Sequence, residues 1–186
     1  MQEEFVFSGF GGQGVMFAGQ LLAYAAMDAG LEVTWIPSYG PEMRGGTAHC
    51  FVVISDKPIG SPQVSSPKTA VLFNIPSFDK YEMVVAPGGL LAYNASLVER
   101  KTERTDVTVL PVPASDLADE IGNMRLLNVI MLGAVLTMRP AISVDVLRTA
   151  LEGHIPPHRR DLLPQNFEAL EAGVKFASEQ AQPLMP

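Results

Sequence analysis

The sequence predicts an α/β fold: three layers, with a mostly parallel sheet carrying helices on both faces and a Rossmann-like N-terminal βαβ unit. Three observations predict it. Short apolar runs rich in β-branched and aromatic residues alternate with longer Ala/Leu/Met-rich stretches, the pattern of a sheet covered on both sides. A glycine-rich turn, Gly9 to Gly14, separates the first such run from the first helical stretch. The chain has 186 residues, 47% of them hydrophobic and 18% charged, enough for one sizeable core. It reads as a single domain over 1–186 whose C-terminal third is helical.

The elements follow in order. Phe5-Val6-Phe7-Ser8 predicts a buried strand. Val15 to Ala29 is rich in helix formers, lacks proline, and is stopped by Gly30. Leu31 to Ile36 predicts the second strand and completes the βαβ unit. Pro37 to Gly46 is a Pro/Gly loop, and Thr47 to Ser55 a third strand. Asp56 to Pro67 reads as a surface excursion. Strands are predicted at Thr69–Phe73, Leu90–Tyr93 and Val107–Leu110, with a short helix at Pro76–Tyr81. Ser115 or Asp116 is the expected cap of a helix to Ile121, and Asn123 of one from Met124 to Thr137. Ser143 caps a helix through Leu151 that Gly153 stops. Pro156-Pro157 excludes helix there, and a last helix covers Leu162 to Gln180.

Composition narrows the function. A net charge of −7 argues against nucleic acid and against an anionic membrane surface. Leu126 to Met138 is far shorter than the roughly 20 apolar residues a spanning helix needs. The acidic start Met1-Gln2-Glu3-Glu4 has no secretory pattern, so the expected location is cytoplasmic. With one cysteine, Cys50, the sequence holds no four-cysteine iron–sulfur site. The positive mean hydropathy leaves apolar surface over for a partner.

Few residues carry chemistry. Gly9-Phe10-Gly11-Gly12-Gln13-Gly14 satisfies G-x-G-x-x-G after a strand and before a helix, where free amides attract anions. A dinucleotide site also needs a carboxylate at the end of the second strand, and that end reads Ile36-Pro37-Ser38. The turn therefore reads as a phosphate site for another ligand, or as a structural or docking turn. The loop Pro37 to Thr47 leaves a strand end where ligand crevices form, and Arg44 there suits a carboxylate or phosphate. The alternative is a rigid loop docking on another subunit. His49 and Cys50 are neighbours on a strand and face opposite sides, so they form no catalytic pair; Cys50 reads as core. His154 and His158 are separated by Pro156-Pro157 and read as surface loop residues. No catalytic set and no metal cluster emerges. The apolar stretch Met124 to Met138 reads as core, with Gly133-Ala134 allowing close packing.

Gly9 to Val15, the loop Ser38-Tyr39-Gly40-Pro41-Glu42-Met43-Arg44-Gly45-Gly46-Thr47, the segment Asn128 to Ala134 and the segment Asn166 to Gly173 together resemble the gamma subunit of 2-oxoacid:ferredoxin (acceptor) oxidoreductases. The resemblance runs to about residue 175. It implies a gamma subunit, inactive alone, of an enzyme that decarboxylates a 2-oxoacid oxidatively with coenzyme A, yielding acyl-CoA and carbon dioxide. Electrons pass to ferredoxin. The 2-oxoglutarate type is favoured, with branched-chain and indolepyruvate types open. Thiamine diphosphate and iron–sulfur clusters are implied on alpha, beta and, where present, delta subunits; no cofactor is expected on this chain alone. The expected ligand-facing residues are Gly11, Gly12, Gln13, Gly14, Tyr39, Glu42, Arg44, Gly45 and Gly46, forming one crevice near the cofactor or coenzyme A path. The competing reading is a stand-alone nucleotide-binding protein using the Gly9–Gly14 turn. A third is a regulatory anion-binding module.

Overall fold

Strand-forming and helix-forming stretches become six strands and six helices in the computed structural model, which describes residues 1–39 and 47–181. The strands are β1 (Gln2–Phe10), β2 (Glu32–Tyr39), β3 (Thr47–Ser55), β4 (Thr69–Leu72), β5 (Leu90–Asn94) and β6 (Thr108–Val112). The helices are α1 (Val15–Asp28), α2 (Ile75–Tyr81), α3 (Ala114–Glu120), α4 (Leu127–Met138), α5 (Val144–His154) and α6 (Leu163–Ala181). Short 3₁₀ turns occupy Glu82–Val84, Met124–Leu126 and Pro157–Leu162.

One sheet holds every strand in the order β2-β3-β1-β4-β5-β6. All strands but β3 run the same way. The expected α/β class is borne out, with one refinement. β1, α1 and β2 form the βαβ unit, but β3 is inserted between the two parallel strands and is antiparallel to both. Local chemistry explains the placement. Cys50, Val52, Val53 and Ile54 of β3 are buried, so this strand suits the sheet interior. β2 carries Pro37, which has no N–H for a second ladder and suits an edge. β6 occupies the other edge and likewise contains Pro111.

The two faces are covered unequally. Phe5, Phe7, Cys50, Val52, Ile54, Val71, Ala92 and Leu110 face a large core shared with α1, α3, α4, α5 and α6. Val6, Ala70, Leu72, Leu91 and Tyr93 face a smaller one closed by Phe78, Tyr81, Val85 and Val98. α4 is buried nearly throughout, from Leu127 to Leu136. A Cβ at Gly133 would collide with the Leu170 carbonyl, and one at Gly173 with the Ile130 carbonyl. The glycines therefore let α4 and α6 touch backbone to backbone.

Several local expectations change. Ser115 and Asp116 do not cap α3, whose N-cap is Pro113; the Ser115 hydroxyl accepts from Asn94 Nδ2 at 2.8 Å, tying the helix to β5. Asn123 caps the 3₁₀ turn ahead of α4, accepting from Arg125 N. Ser143 caps α5 as expected, but Gly153 lies inside that helix, which ends at His154. Pro156-Pro157 excludes α-helix yet starts a 3₁₀ turn, where a proline at the first position costs no hydrogen bond.

Candidate functional site

β1 delivers the chain to the glycine turn at the carboxyl edge of the parallel strands, the edge where open α/β sheets form crevices. The turn is closed by Gln13 N donating to Phe10 O at 3.2 Å. Gly12 (φ 100) and Gly14 (φ 76) both have positive φ, so the path needs glycine. Gly14 is the N-cap of α1 and provides no side-chain cap; Ala18 N, bonded to Gly14 O at 2.9 Å, is the first amide in the helical ladder. The amides ahead of it form a positive helix start. Gly11 and Gly12 are exposed there.

Side chains from the turn itself, from the N-cap of α2 and from α4 fix this turn. Gln13 Oε1 accepts from Phe10 N at 2.7 Å and from Asn74 Nδ2 at 3.1 Å, and Gln13 Nε2 donates to Phe73 O at 3.3 Å. Gln13, one of the expected ligand-facing residues, uses its amide to tie the turn to the segment that follows β4. Asn74 Oδ1 accepts from Ser77 N at 3.0 Å and so caps α2. From α4, buried Asn128 donates through Nδ2 to Gly14 O at 3.2 Å. A Cβ at Gly14 would land on that amide, and one at Gly9 would come within 2.7 Å of Gln13 Oε1 and 2.9 Å of Phe73 Cβ. Ser8 and Ser77 share a buried hydrogen bond of 2.9 Å beside them. The result is a stiff polar frame presenting backbone amides.

Sequence reasoning missed Asn74 and gave Asn128 only as part of a longer motif. For Asn74 the signal was present: Asn74-Ile75-Pro76 directly after an apolar strand is a capping pattern. For Asn128 no local signal exists, because its role depends on α4 meeting α1 far along the chain.

Tyr39 ends β2 at the same edge. It pairs in register with Ala48, which pairs with Gly9, so Tyr39 and the turn are two strands apart, about 10 Å. Tyr39 is 68% exposed. The structure thus brings Tyr39, Gly11, Gly12 and Gly14 to one edge. Glu42, Arg44, Gly45 and Gly46 lie outside the described residues.

The remaining candidates have plain surroundings. Cys50 is fully buried against α1, and burial pushes its thiol up to about 12, partly offset by the Trp35 indole N–H. Such a thiol does not suit a cluster or a nucleophile. His49 lies on the other face near Phe51 and Tyr81, and burial together with Lys80 lowers its pKa. His154 is no loop residue: it ends α5, stacks on Tyr24 and bonds Asp28 Oδ2 at 2.8 Å. Among the described residues no His/Cys/Asp/Glu group could hold a metal, and no helix is long and apolar enough to cross a membrane.

Comparison with known proteins adds the following. Residues 4–176 match the family model described as pyruvate ferredoxin/flavodoxin oxidoreductase. Ketoisovalerate oxidoreductase subunit VorA of Methanothermobacter thermautotrophicus is 36% identical over 94% of this chain, which spans only 36% of that relative's length. The 2-oxoglutarate synthase subunit KorC of Methanocaldococcus jannaschii is 34% identical over 96% of both chains. Among solved structures, the keto/oxoacid ferredoxin oxidoreductase gamma subunit of Geobacter sulfurreducens superposes with a TM-score of 0.85 at 25% identity, over 96% of this chain and 98% of that one. The 2-oxoglutarate:ferredoxin oxidoreductase of Magnetococcus marinus, solved with 2-oxoglutarate, coenzyme A and succinyl-CoA, superposes with 0.88 at 25% identity. The match covers 96% of this chain and 31% of that one.

Proposed function

The chain belongs to the pyruvate ferredoxin/flavodoxin oxidoreductase family, and on that premise we propose that it is the gamma subunit of a 2-oxoacid:ferredoxin oxidoreductase, folded as one domain. The family resemblance carried by the two glycine motifs is thereby borne out. The observation that carries the subunit reading is the end-to-end match to KorC, at 34% identity over 96% of both chains. A chain that matches a whole subunit, and whose one described thiol is locked in the core, is suited to assembly more than to chemistry of its own.

The proposed reaction of the complex is oxidative decarboxylation of a 2-oxoacid with coenzyme A, with electrons leaving to ferredoxin. We assign 2-oxoglutarate as the acid, because KorC, a 2-oxoglutarate synthase subunit, matches at 34% identity over 96% of both chains. Ketoisovalerate is the second reading, supported by the similarity to VorA. Thiamine diphosphate and iron–sulfur clusters belong to the alpha, beta and delta partners in this assignment, and the complex is cytoplasmic. Coenzyme A supplies the thiol that accepts the acyl group.

This chain's share is positional. The amides of Gly11, Gly12 and Gly14 at the start of α1 are suited to an anionic group, which the helix start favours by about 0.3–1 kcal/mol. Gln13, held on β4, keeps them fixed. Tyr39, with Glu42, Arg44, Gly45 and Gly46 assigned from sequence, forms the other wall of the proposed crevice. A free-standing dinucleotide protein is not supported: the second strand lacks its carboxylate, and β3 separates that strand from the turn. The test is co-expression with alpha and beta subunits. The complex is expected to turn over 2-oxoglutarate, and equal activity without this chain would remove it from the enzyme.

A further inference from the structure

One side of α1 carries Phe17, Gln20, Leu21 and Tyr24, whose spacing along the chain puts them in a single stripe of the helix. α5 packs beside this helix. Between the stripe, the end of α5 and the 3₁₀ turn that follows lies a cleft of about 290 Å³. Its floor is apolar, formed by the buried Leu21, Leu151 and Ile155. Its walls are mostly rings. Phe17, 39% exposed, stands at one end, and Tyr24 stands two helical turns away, about 10 Å along the helix. Pro156 lines the side opposite α1.

The polar groups of the cleft are held in place. The Tyr24 ring stacks on His154, with centroids 4.4 Å apart and planes within 14° of parallel. His154 Nε2 is in turn 2.8 Å from Asp28 Oδ2. Gln20 Nε2 donates to the Tyr24 hydroxyl at 2.9 Å, which leaves the phenol's own proton for another acceptor. A wall fixed in this way has little freedom left to lose, so binding against it costs little ordering entropy.

Charge decides the class of ligand. Arg159 lines the cleft and is exposed, and among the described residues it makes no ion pair. No carboxylate lines the cleft, and Asp28, beyond His154, is taken by that ring. In a chain with a net charge of −7, an acid-free cleft with a guanidinium on its rim favours an anion. A guanidinium grips a carboxylate through parallel hydrogen bonds, and it also stacks on aromatic faces. The volume is at the small end for ligand sites, which suits one or two fused rings. We propose that the cleft between α1 and α5 binds a small planar aromatic carboxylate, with its ring between Phe17 and Tyr24 and its carboxylate on Arg159. The cleft opens on the outer side of α1 rather than at the strand edge that holds the glycine turn, and it needs no subunit partner.

The experiment titrates the full chain with 2-naphthoate, read by calorimetry and by amide NMR. Saturable binding with a dissociation constant of about 1 mM or tighter is expected, with shifts centred on α1, the end of α5 and the turn after it. 2-Naphthamide keeps the ring without the charge, and cyclohexanecarboxylate keeps the charge without the ring. Each is expected to bind about tenfold more weakly or worse. Arg159→Gln and Phe17→Ala are expected to weaken 2-naphthoate binding by about tenfold or more. Arg160→Gln removes the same charge one residue along, where the side chain lines a different groove, and is expected to leave binding unchanged. All three positions are exposed, so urea midpoints are expected to match the parent, and the two analogues test the parent chain itself. Five results would each overturn the proposal: no saturation by 2-naphthoate, equal binding of either analogue, parental binding by Arg159→Gln, equal weakening by Arg160→Gln, or shifts centred on the Gly9–Gly14 turn.

Discussion

Gly14 shows how much one residue type is asked to do. Its φ of 76 excludes an ordinary side chain, and the space a Cβ needs is filled by the Asn128 amide. Gly14→Ala is expected to cost about 1–3 kcal/mol, read as a lowered midpoint in urea unfolding. Asn128→Ala removes one of the two hydrogen bonds to the Gly14 carbonyl, which keeps Ala18 N, and is expected to cost about 0.5–1.5 kcal/mol by the same measurement. His49 gives a pH signature. Burial and Lys80 hold its pKa below the ordinary 6.5, so the folded chain keeps the ring neutral longer than the unfolded chain does. Stability is therefore complete above 6.5, falls as pH drops below it, and levels off once the folded pKa is passed. Thermal melts across that range are expected to show the decline, and His49→Gln to flatten it relative to the parent.

Helices and strands were legible where their signals are local. The apolar runs, the Gly30 stop and the Ser143 cap are written in neighbouring residues, and the structure has them where expected. Ser115 misled because a serine near a helix start has two uses, and the distant Asn94 claimed it. The contact between α4 and α6 is the strongest element-level feature. Gly173→Val would push a branched side chain into the Ile130 carbonyl and force the two helices apart. It is expected to destabilise by about 1–3 kcal/mol or more, while Gly153→Ala, with open space around it and inside α5, is expected to be neutral or slightly stabilising. Parallel denaturant titrations of the two variants make the comparison.

At the scale of the molecule, the alternation of strand and helix predicted the layered sheet but not its strand order. Nothing within β3 says that it enters between β1 and β2; that follows from which strands bury both faces and which carry proline. The candidate edge was legible as glycines and a loop, whereas the Gln13, Asn74 and Asn128 frame joins residues 61 and 114 positions apart and had no local signature. Hydrogen exchange is expected to divide the sheet accordingly, with β1, β3 and β4 amides slowest and the edge strands β2 and β6 opening first, as measured by mass spectrometry. The inserted strand also sets a condition on how the chain is made. When β1, α1 and β2 have left the ribosome, the two parallel strands cannot pair with each other without closing the slot that β3 must fill. Gln2 finds its partner only when Ser55 has been synthesised. Until then both strands expose unsatisfied ladders, so a truncated product ending before Thr47 is expected to aggregate under conditions where the full chain stays in solution, as read by light scattering.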